Sequence, residues 1–222
     1  GLGDVYKRQN HNPPDSHSLE DWRAVTQYWI DNYFCMPEYY RIDDKPAVFI
    51  WAPSNIRRDV GGAEQARKLY AMSQEMARAA GYKGIFFAAM SDHGDAASAA
   101  RLCDEGYEGF TQYHTFPWAM KDVENPKRFP YRTVVEAAPA FWEENQARSR
   151  MLYFPLVDTG WASEPWHGHN ALTIYGRTPE LFHELCLRAR DYLDKHGKKI
   201  VILGPTNEWG EGSYIEPCTE YG

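Results

Sequence analysis

The sequence predicts an α/β fold, and within that class a (β/α)₈ TIM barrel, from three observations. Short apolar runs alternate with amphipathic helical patterns along the chain, which is typical of a parallel sheet covered by helices. The glycine-rich phosphate loops of doubly wound nucleotide folds, G-x-G-x-x-G and G-x-x-x-x-G-K-[ST], do not occur. Polar and aromatic residues follow the apolar runs, at the end of each strand where barrel enzymes hold their active sites. The barrel is therefore favoured over the open doubly wound sheet.

The first helix is predicted to begin after Ser18, where Ser18-Leu19-Glu20-Asp21 resembles a capping box. Its apolar face is predicted from residues at helical spacing, namely Trp22, Val25, Trp29 and Tyr33. Further helical patterns cover residues 61–80, 96–104, 131–150 and 179–196. Because a proline inside a helix lacks the amide donor, we expect Pro139 to kink or split the third of these.

Five short apolar runs are predicted as strands, buried on both faces as in a parallel sheet. Pro155 lies inside the fourth run and weakens it as a strand, because proline cannot donate to a neighbouring strand. The five runs cover residues 47–52, 84–89, 109–113, 152–157 and 200–203.

The composition of the 222 residues excludes several classes of protein. A formal net charge of −7, with no dense basic patch, argues against nucleic-acid binding. No apolar run approaches the length needed to cross a membrane, so no membrane-spanning segment is predicted. The four cysteines form no C-x-x-C pair, and His167 and His169 lack a third ligand nearby, so we expect neither a metal nor any other cofactor. Aromatic residues reach 15%, which suits stacking on sugar rings as well as core packing.

Candidate substrate-binding residues are those at the ends of the predicted strands or shortly after them, since these would meet at one end of a barrel. Asp92 can alternatively be interpreted as a helix cap and Trp51 as part of the barrel core. The candidates in chain order are Trp51, Asp92, His93, Tyr113, His114, Asp158, Trp161, Asn207 and Trp209.

Glu208 and Glu211 are the candidate catalytic residues. They lie three positions apart in a glycine-bearing turn beyond the fifth strand, a spacing that can bring two carboxylates about 5 to 7 Å from each other. Paired carboxylates at such a range perform glycoside hydrolysis, one as general acid and the other ionised. A solvated acidic turn, or a cap on a following helix, is the alternative interpretation of the same spacing.

The segment around these acids resembles a known family. Residues 207–217, Asn-Glu-Trp-Gly-Glu-Gly-Ser-Tyr-Ile-Glu-Pro, are similar to the N-E-W-x-E-G-x-x-[LI]-E-P motif of the WbsX-like proteins and of the glycoside hydrolase family 99 endo-α-mannosidases. Residues 31–48 resemble the family's helix, Y-x-x-I-D-G-K-P-V turn and strand. The resemblance covers most of the chain from about residue 18 onward.

This resemblance implies a (β/α)₈ barrel that cleaves α-linked glycans with retention of the anomeric configuration. In the hydrolase family the first acid of the motif assists the sugar's own 2-hydroxyl as internal nucleophile, and the second is general acid and then general base. Applied to this chain, these roles imply that Glu208 deprotonates the sugar's 2-hydroxyl, while Glu211 protonates the leaving glycosidic oxygen and later activates water. Glu216 is interpreted as structural, bracing the turn through backbone amides.

The chain departs from the family pattern after its fourth predicted strand. WbsX-like relatives carry G-W-D-N there, whereas this chain has Gly160-Trp161-Ala162-Ser163. The missing acid puts the identity of the bound sugar in question. Residues 1–9 resemble a non-native assembly scar, and residues 10–222 are predicted to be a partial barrel domain of about five β/α units. We therefore expect this polypeptide alone to fold poorly and to be inactive, because an open barrel exposes a strand edge.

Two other functions are compatible with the resemblance. One is a glycosyltransferase of surface-polysaccharide assembly, although no D-x-D motif or phosphate-binding loop supports a nucleotide-sugar site. The other is a non-catalytic carbohydrate-binding barrel. The expected partner is a glycan in each case. A hydrolase would be periplasmic or secreted and a transferase cytoplasmic, and the sequence does not choose between these locations or fix an oligomeric state.

Overall fold

A computed structural model describes residues 17–90, 96–115, 123–219 and 221. The chain forms two compact units, the first built from Gly1–Phe110 and Ser149–Leu152 and the second from Thr111–Arg148 and Tyr153–Gly222. The suggested assembly scar at residues 1–9 and the candidates Asp92 and His93 lie outside the described residues.

A five-stranded sheet belongs to the first unit except for two strand-end residues, Thr111 and Tyr153, which belong to the second. Its strands are β1 Arg41–Ile42, β2 Lys45–Trp51, β3 Phe86–Met90, β4 Gly109–Thr111 and β6 Leu152–Tyr153, hydrogen-bonded in that order. Strands β2 and β3 are parallel over five residue pairs, from Ala47 opposite Phe86 to Trp51 opposite Met90. The helices of this unit are α1 Leu19–Trp29, α2 Pro53–Asp59, α3 Ala63–Ala79 and α4 Ala96–Glu105. The predicted parallel pairing of the first two apolar runs is confirmed.

Helix α1 begins where the sequence predicts, because the Ser18 hydroxyl accepts the backbone N–H of Asp21. The predicted apolar face is wrong in part. Val25 and Tyr33 are exposed, whereas Thr26 is fully buried. Thr26 donates to the carbonyl of Trp22 and forms a 2.8 Å hydrogen bond with the Ser73 hydroxyl, so its polar atom is satisfied inside the core. A hydrophobic-periodicity argument cannot identify a buried residue of this kind.

The second unit joins short strands through two long helices. Its strands are β5 Arg128–Pro130, β7 Leu156–Val157, β8 Thr173–Tyr175, β9 Ile202–Leu203, β10 Asn207–Glu208 and β11 Ser213–Tyr214. Its helices are α5 Tyr131–Arg148, α6 Glu164–His167 and α7 Pro179–His196. Strand β5 pairs with β8 and β7 with β9, both in parallel. Helix α7 has the predicted cap at Thr178 and ends at Gly197, whose φ is +62°.

Two predictions about proline have different outcomes. Helix α5 is continuous through Pro139, so the proline does not split it, and the expected kink stays a prediction. The fourth predicted strand is divided, however, into β6 and β7 on either side of Pro155. Since β7 pairs with β9, the second part of the run brings the segment after Val157 beside the segment after Leu203. These two segments hold the candidate site.

Two features are absent from the described ranges. Within them, no helix combines the length and apolarity that crossing a bilayer requires. In the same part of the chain, no three His, Cys, Asp or Glu side chains are grouped closely enough to hold a metal ion, the pair His167 and His169 included.

Candidate functional site

Glu208 and Glu211 lie on a short hairpin, residues 207–214, which we call the carboxylate hairpin. Its two strands, β10 and β11, pair antiparallel, with Asn207 opposite Tyr214 and Glu208 opposite Ser213. A single 3₁₀ turn, Trp209–Glu211, joins them. Both carboxylate residues are half-buried. The hairpin thus fixes the two acids at the two ends of one tight turn.

The hairpin is held by the loop that follows β7, residues 158–163, which we call the Asp158 loop. The backbone N–H of Ala162 donates to the carbonyl of Glu211 at 2.8 Å. The hydroxyl of Ser213, which is fully buried, donates to the carbonyl of Gly160. These two hydrogen bonds anchor the backbone of the second acid, and of β11, to the Asp158 loop.

Gly212 allows the turn to lie against this loop. Its φ is +62°, in the left-handed region that favours glycine. A Cβ atom at this position would lie 2.6 Å from Cβ of Ala162 and 2.8 Å from its backbone nitrogen. A side chain here is therefore excluded both by backbone conformation and by space.

Arg177 contacts the same hairpin from the end of β8. Its guanidinium donates to the carbonyls of Thr159, at 3.1 Å, and of Gly212. It also lies over the ring of Tyr214, 4.9 Å from the ring centre. One cation therefore joins the Asp158 loop to the carboxylate hairpin, through carbonyls and an aromatic face.

Trp209 stands between the two acids and is 45% exposed. Its indole stacks on Tyr214, with ring centres 3.9 Å apart and planes inclined by 19°. The indole N–H donates to the carboxylate of Glu216 at 2.7 Å. Glu216 therefore braces the turn through a side chain, whereas its predicted partners are backbone amides.

Four predicted substrate-binding residues lie together in the second unit. His114 is enclosed by two rings set nearly perpendicular to it, Tyr113 at 4.5 Å and Trp161 at 4.9 Å between ring centres. Its Nδ1 lies 3.2 Å from Oδ1 of Asp158. With Thr115, which also contacts the carboxylate, we call this group the Asp158 cluster.

Asp158 is fully buried, and both of its oxygens are engaged by the protein. Oδ2 accepts the backbone N–H of Thr115 at 2.7 Å and its hydroxyl at 3.1 Å. Oδ1 accepts the backbone N–H of Gly160 at 2.9 Å. Burial alone acts to raise the pKa of Asp158, but the charge and hydrogen bond of His114, with the two backbone amides, hold that pKa below its ordinary value. The carboxylate is therefore ionised.

The remaining candidates are placed separately. Asn207 is exposed on β10. Trp51 ends β2 in the first unit, where it is 47% exposed, which does not fit the alternative that it is a core residue. Asp92 and His93 stay predictions, because they lie outside the described residues.

Sequence reasoning missed two residues that touch the hairpin. Trp166, half exposed on helix α6, packs against Gly210, where an added Cβ atom would lie 3.2 Å from the indole. Arg177 is the other. The sequence could have identified Trp166, because it is an aromatic residue in a polar loop after a predicted strand, as are other candidate substrate-binding residues. Arg177 is a single cation before a helix cap and carries none.

A cavity of about 590 Å³ lies beside the hairpin. Arg177, Tyr214 and Glu216 contribute to its wall, together with apolar residues such as Phe182 and Ile215. Among the described residues that line it, neither Glu208 nor Glu211 occurs. Within the described part of the chain, the two candidate catalytic acids are therefore not part of the wall of this cavity.

Comparison with solved structures defines the class of fold. A glycoside hydrolase family 99 endo-α-mannosidase from Bacteroides thetaiotaomicron matches with a TM-score of 0.61 at 19% identity, over 94% of this chain and 57% of the other. The same kind of enzyme in complex with Bis-Tris propane gives a TM-score of 0.59 at 20% identity, over 94% and 60%. A glycoside hydrolase-like protein gives 0.61 at 20%, over 94% and 56%. The chain thus has the α/β fold of these proteins and spans less than two thirds of their length.

The family is given by a second comparison. The model of the family described as glycosyltransferase WbsX matches residues 8–222. The chain therefore belongs to the WbsX family, as the motif at residues 207–217 indicates. A comparison with curated protein sequences gave no match.

Proposed function

We propose that this chain is part of a glycoside hydrolase that cleaves an α-linked oligosaccharide or polysaccharide through Glu208 and Glu211. The observation that carries the proposal is the carboxylate hairpin, which holds two acids of the motif at the two ends of one 3₁₀ turn. The fold shared with the family 99 structures supports it. No cofactor takes part in this chemistry.

In the proposed reaction Glu208, as the carboxylate, removes the proton from the 2-hydroxyl of the sugar. The 2-oxygen attacks the anomeric carbon while Glu211, as the acid, gives its proton to the departing glycosidic oxygen. Glu211 then takes a proton from water, which opens the resulting epoxide at the anomeric carbon, and Glu208 returns its proton to O2. Two inversions at one carbon give overall retention.

The backbone contacts of Glu211 support its part in this scheme. Its carbonyl accepts the N–H of Ala162, and the neighbouring Gly212 carbonyl accepts from Arg177. A general acid must stay at a fixed distance from the leaving oxygen, and a turn tied to a second loop limits its movement. Tyr113, His114, Asp158, Trp161, Trp209 and Asn207 are proposed to bind the glycan, as are Trp51, Asp92 and His93.

The complete active unit is proposed to be a (β/α)₈ barrel, of which this chain forms about five β/α units. The share of the family 99 structures that the chain covers supports this, as does the alternation of parallel strands and helices. The complete protein that contains this chain is therefore the material for every activity measurement.

The test compares wild type with Glu208→Gln and Glu211→Gln on a panel of α-linked glycans. Each substitution removes a proton-transfer group without changing its size, and we expect kcat to fall by about 10²- to 10⁴-fold. Glu64→Gln is the matched control, because Glu64 is an exposed acid on helix α3 and should have no effect. Wild-type rates in both site variants would contradict the proposal.

The description of the family as glycosyltransferases favours a second candidate function. A transferase would consume a nucleotide sugar and release the nucleotide, without hydrolysing any glycan of the panel. The same panel therefore includes nucleotide sugars, with nucleotide release as the readout. Glycan binding that is unchanged in both glutamine variants, with no turnover of either substrate, would indicate a non-catalytic carbohydrate-binding barrel.

A further inference from the structure

Three segments of the second unit meet at one guanidinium group, that of Arg177. Arg177 follows β8 and directly precedes Thr178, the cap of helix α7. Its Nη1 donates to the carbonyl of Thr159 in the Asp158 loop, at 3.1 Å, and to the carbonyl of Gly212 in the carboxylate hairpin. A single side chain therefore joins the end of β8, the Asp158 loop and the hairpin.

The aliphatic stem of Arg177 is packed as closely as its charged end. It passes Gly160, where an added Cβ atom would lie 3.3 Å from both Cγ and Nε of Arg177, and nearer still to Cδ. A side chain at Gly160 would occupy the space that the stem now fills. The arginine is thus held against the backbone of the Asp158 loop along its length.

The hydrogen bond from Arg177 acts on the residue next to a candidate catalytic acid. The carbonyl of Glu211 accepts the backbone N–H of Ala162 at 2.8 Å. The carbonyl of the next residue, Gly212, accepts from Arg177. One hydrogen bond alone would let the turn pivot about it. A second one on the following residue, together with the contact between the guanidinium and the ring of Tyr214, resists that rotation.

The chemistry of arginine suits this position. One nitrogen, Nη1, donates to two carbonyls from different segments, and the planar group also lies over an aromatic ring. A lysine ammonium ends one bond short of Nη1 and has no planar face. An alanine would leave the carbonyls of Thr159 and Gly212 without this donor.

We propose that Arg177 is a positioning residue for Glu211. By holding the Gly212 carbonyl and the Tyr214 ring, it keeps the Glu211 carboxylate at the distance from the leaving oxygen that proton transfer requires. The part about proton transfer rests on the function proposed above. The part about the conformation of the hairpin does not, and the experiment measures the two separately.

The conformation is measured by amide hydrogen exchange and mass spectrometry of the complete protein. In Arg177→Ala we expect exchange on the order of 10-fold faster in peptides from residues 158–163 and 207–214, the effect of one lost hydrogen bond to a charged donor. Arg190→Ala is the matched control, because Arg190 is an exposed arginine of helix α7 that pairs with its neighbour Asp191. It should leave exchange in both segments unchanged.

The second measurement separates kcat from KM on the glycan that wild type cleaves. We expect Arg177→Ala to lower kcat on the order of 100-fold, the usual cost of a misplaced group, with a much smaller change in KM. Arg177 is half-buried and contributes to the wall of the 590 Å³ cavity, so a free guanidinium ion can enter the space that its side chain leaves. Millimolar guanidinium chloride, too dilute to act as a denaturant, should therefore restore part of the lost kcat. It should restore nothing in Glu211→Gln.

Three results would overturn the proposal: unchanged exchange of residues 207–214 in folded Arg177→Ala, a kcat equal to that of Arg190→Ala, or a lost kcat that guanidinium does not restore. Circular dichroism and melting show whether the variants are folded. If Arg177→Ala fails to fold, Arg177→Lys replaces it, with the same direction of change in exchange and kcat but a smaller expected loss. Wild-type exchange and kcat in Arg177→Lys would then overturn the proposal. Full activity in Glu208→Gln and Glu211→Gln, with faster hairpin exchange in the Arg177 variant, would instead contradict the proposed function and leave the hold of Arg177 on the hairpin standing.

Discussion

The carboxylate hairpin and the Asp158 cluster both present acidic groups, but they hold them differently. Asp158 is fully buried, and each of its oxygens accepts hydrogen bonds from the protein. Glu208 and Glu211 are half-buried, and strand pairing and the Ala162 amide anchor their backbones. A buried carboxylate surrounded by donors holds its neighbours in place, whereas a half-exposed acid on an anchored backbone can meet a substrate.

Changing the backbone of the hairpin should have the largest effect on stability. Gly212→Ala introduces a side chain at φ +62°, with Cβ 2.6 Å from that of Ala162. We expect a loss of about 3 kcal/mol in the free energy of unfolding, with loss of glycan cleavage, since the turn must move away from the loop. Urea unfolding and hydrolysis rates measure the two effects.

Gly176→Ala is the matched control for this substitution. Gly176 has a similar φ of +68° but nothing within 4 Å of an added Cβ. Its cost should be limited to about 1 kcal/mol of backbone strain. Equal losses in the two variants would show that contact with Ala162 does not hold the turn.

Removing the charge of the Asp158 cluster should have an intermediate, pH-dependent effect. The pKa of Asp158 is lower in the folded protein than its ordinary value, so its stabilisation is fully present above the unfolded pKa of about 3.9 and is lost as the pH falls through the folded pKa. We expect Asp158→Asn to cost about 2 kcal/mol near neutral pH. The difference from wild type should shrink below about pH 4.

Urea unfolding at about pH 7 and about pH 3.5 checks this prediction. In Asp191→Asn the difference from wild type should be close to zero at both values, because Asp191 is exposed. A difference for Asp158→Asn that stays constant between the two pH values would mean that its carboxylate contributes no charge-dependent stability.

The smallest effect is expected at Trp209. Trp209→Phe keeps an aromatic ring on Tyr214 but removes the donor to Glu216, and at an exposed position this should cost less than about 1 kcal/mol. If Trp209 stacks on the glycan, KM should change little in Trp209→Phe and rise in Trp209→Ala. Equal KM values in the two variants would remove Trp209 from the glycan site.

Local sequence signals predict most of the helices. Ser18 caps α1, Thr178 and Pro179 begin α7 and Gly197 ends it, because each acts on backbone groups within one turn of the chain. Helix α2 is not predicted. It begins after Ala52, whose left-handed φ of +49° is not indicated by any residue pattern in the sequence. The three-residue strands β5 and β8 are not predicted either, because runs that short carry no measurable periodicity.

The site can be predicted where it depends on strand ends. Tyr113, His114, Asp158 and Trp161 are candidates because each lies at the end of a predicted strand or shortly after one, and the structure brings all four together. The individual roles of these four residues cannot be predicted. Asp158 and Trp161 differ as possible ligand contacts only in their burial, which the sequence does not show. Arg177 reaches the hairpin through long-range packing, for which a single sequence holds no signal.

The most direct test of the proposed chemistry is the anomeric configuration of the first product. The complete protein is incubated with the α-linked glycan that it cleaves, and ¹H NMR follows the newly formed reducing end before it equilibrates in water. Reaction through the 2-hydroxyl with Glu208 and Glu211 predicts the α-anomer as the first product. Initial formation of the β-anomer, or consumption of a nucleotide sugar with no cleavage of any α-linked glycan, would contradict it.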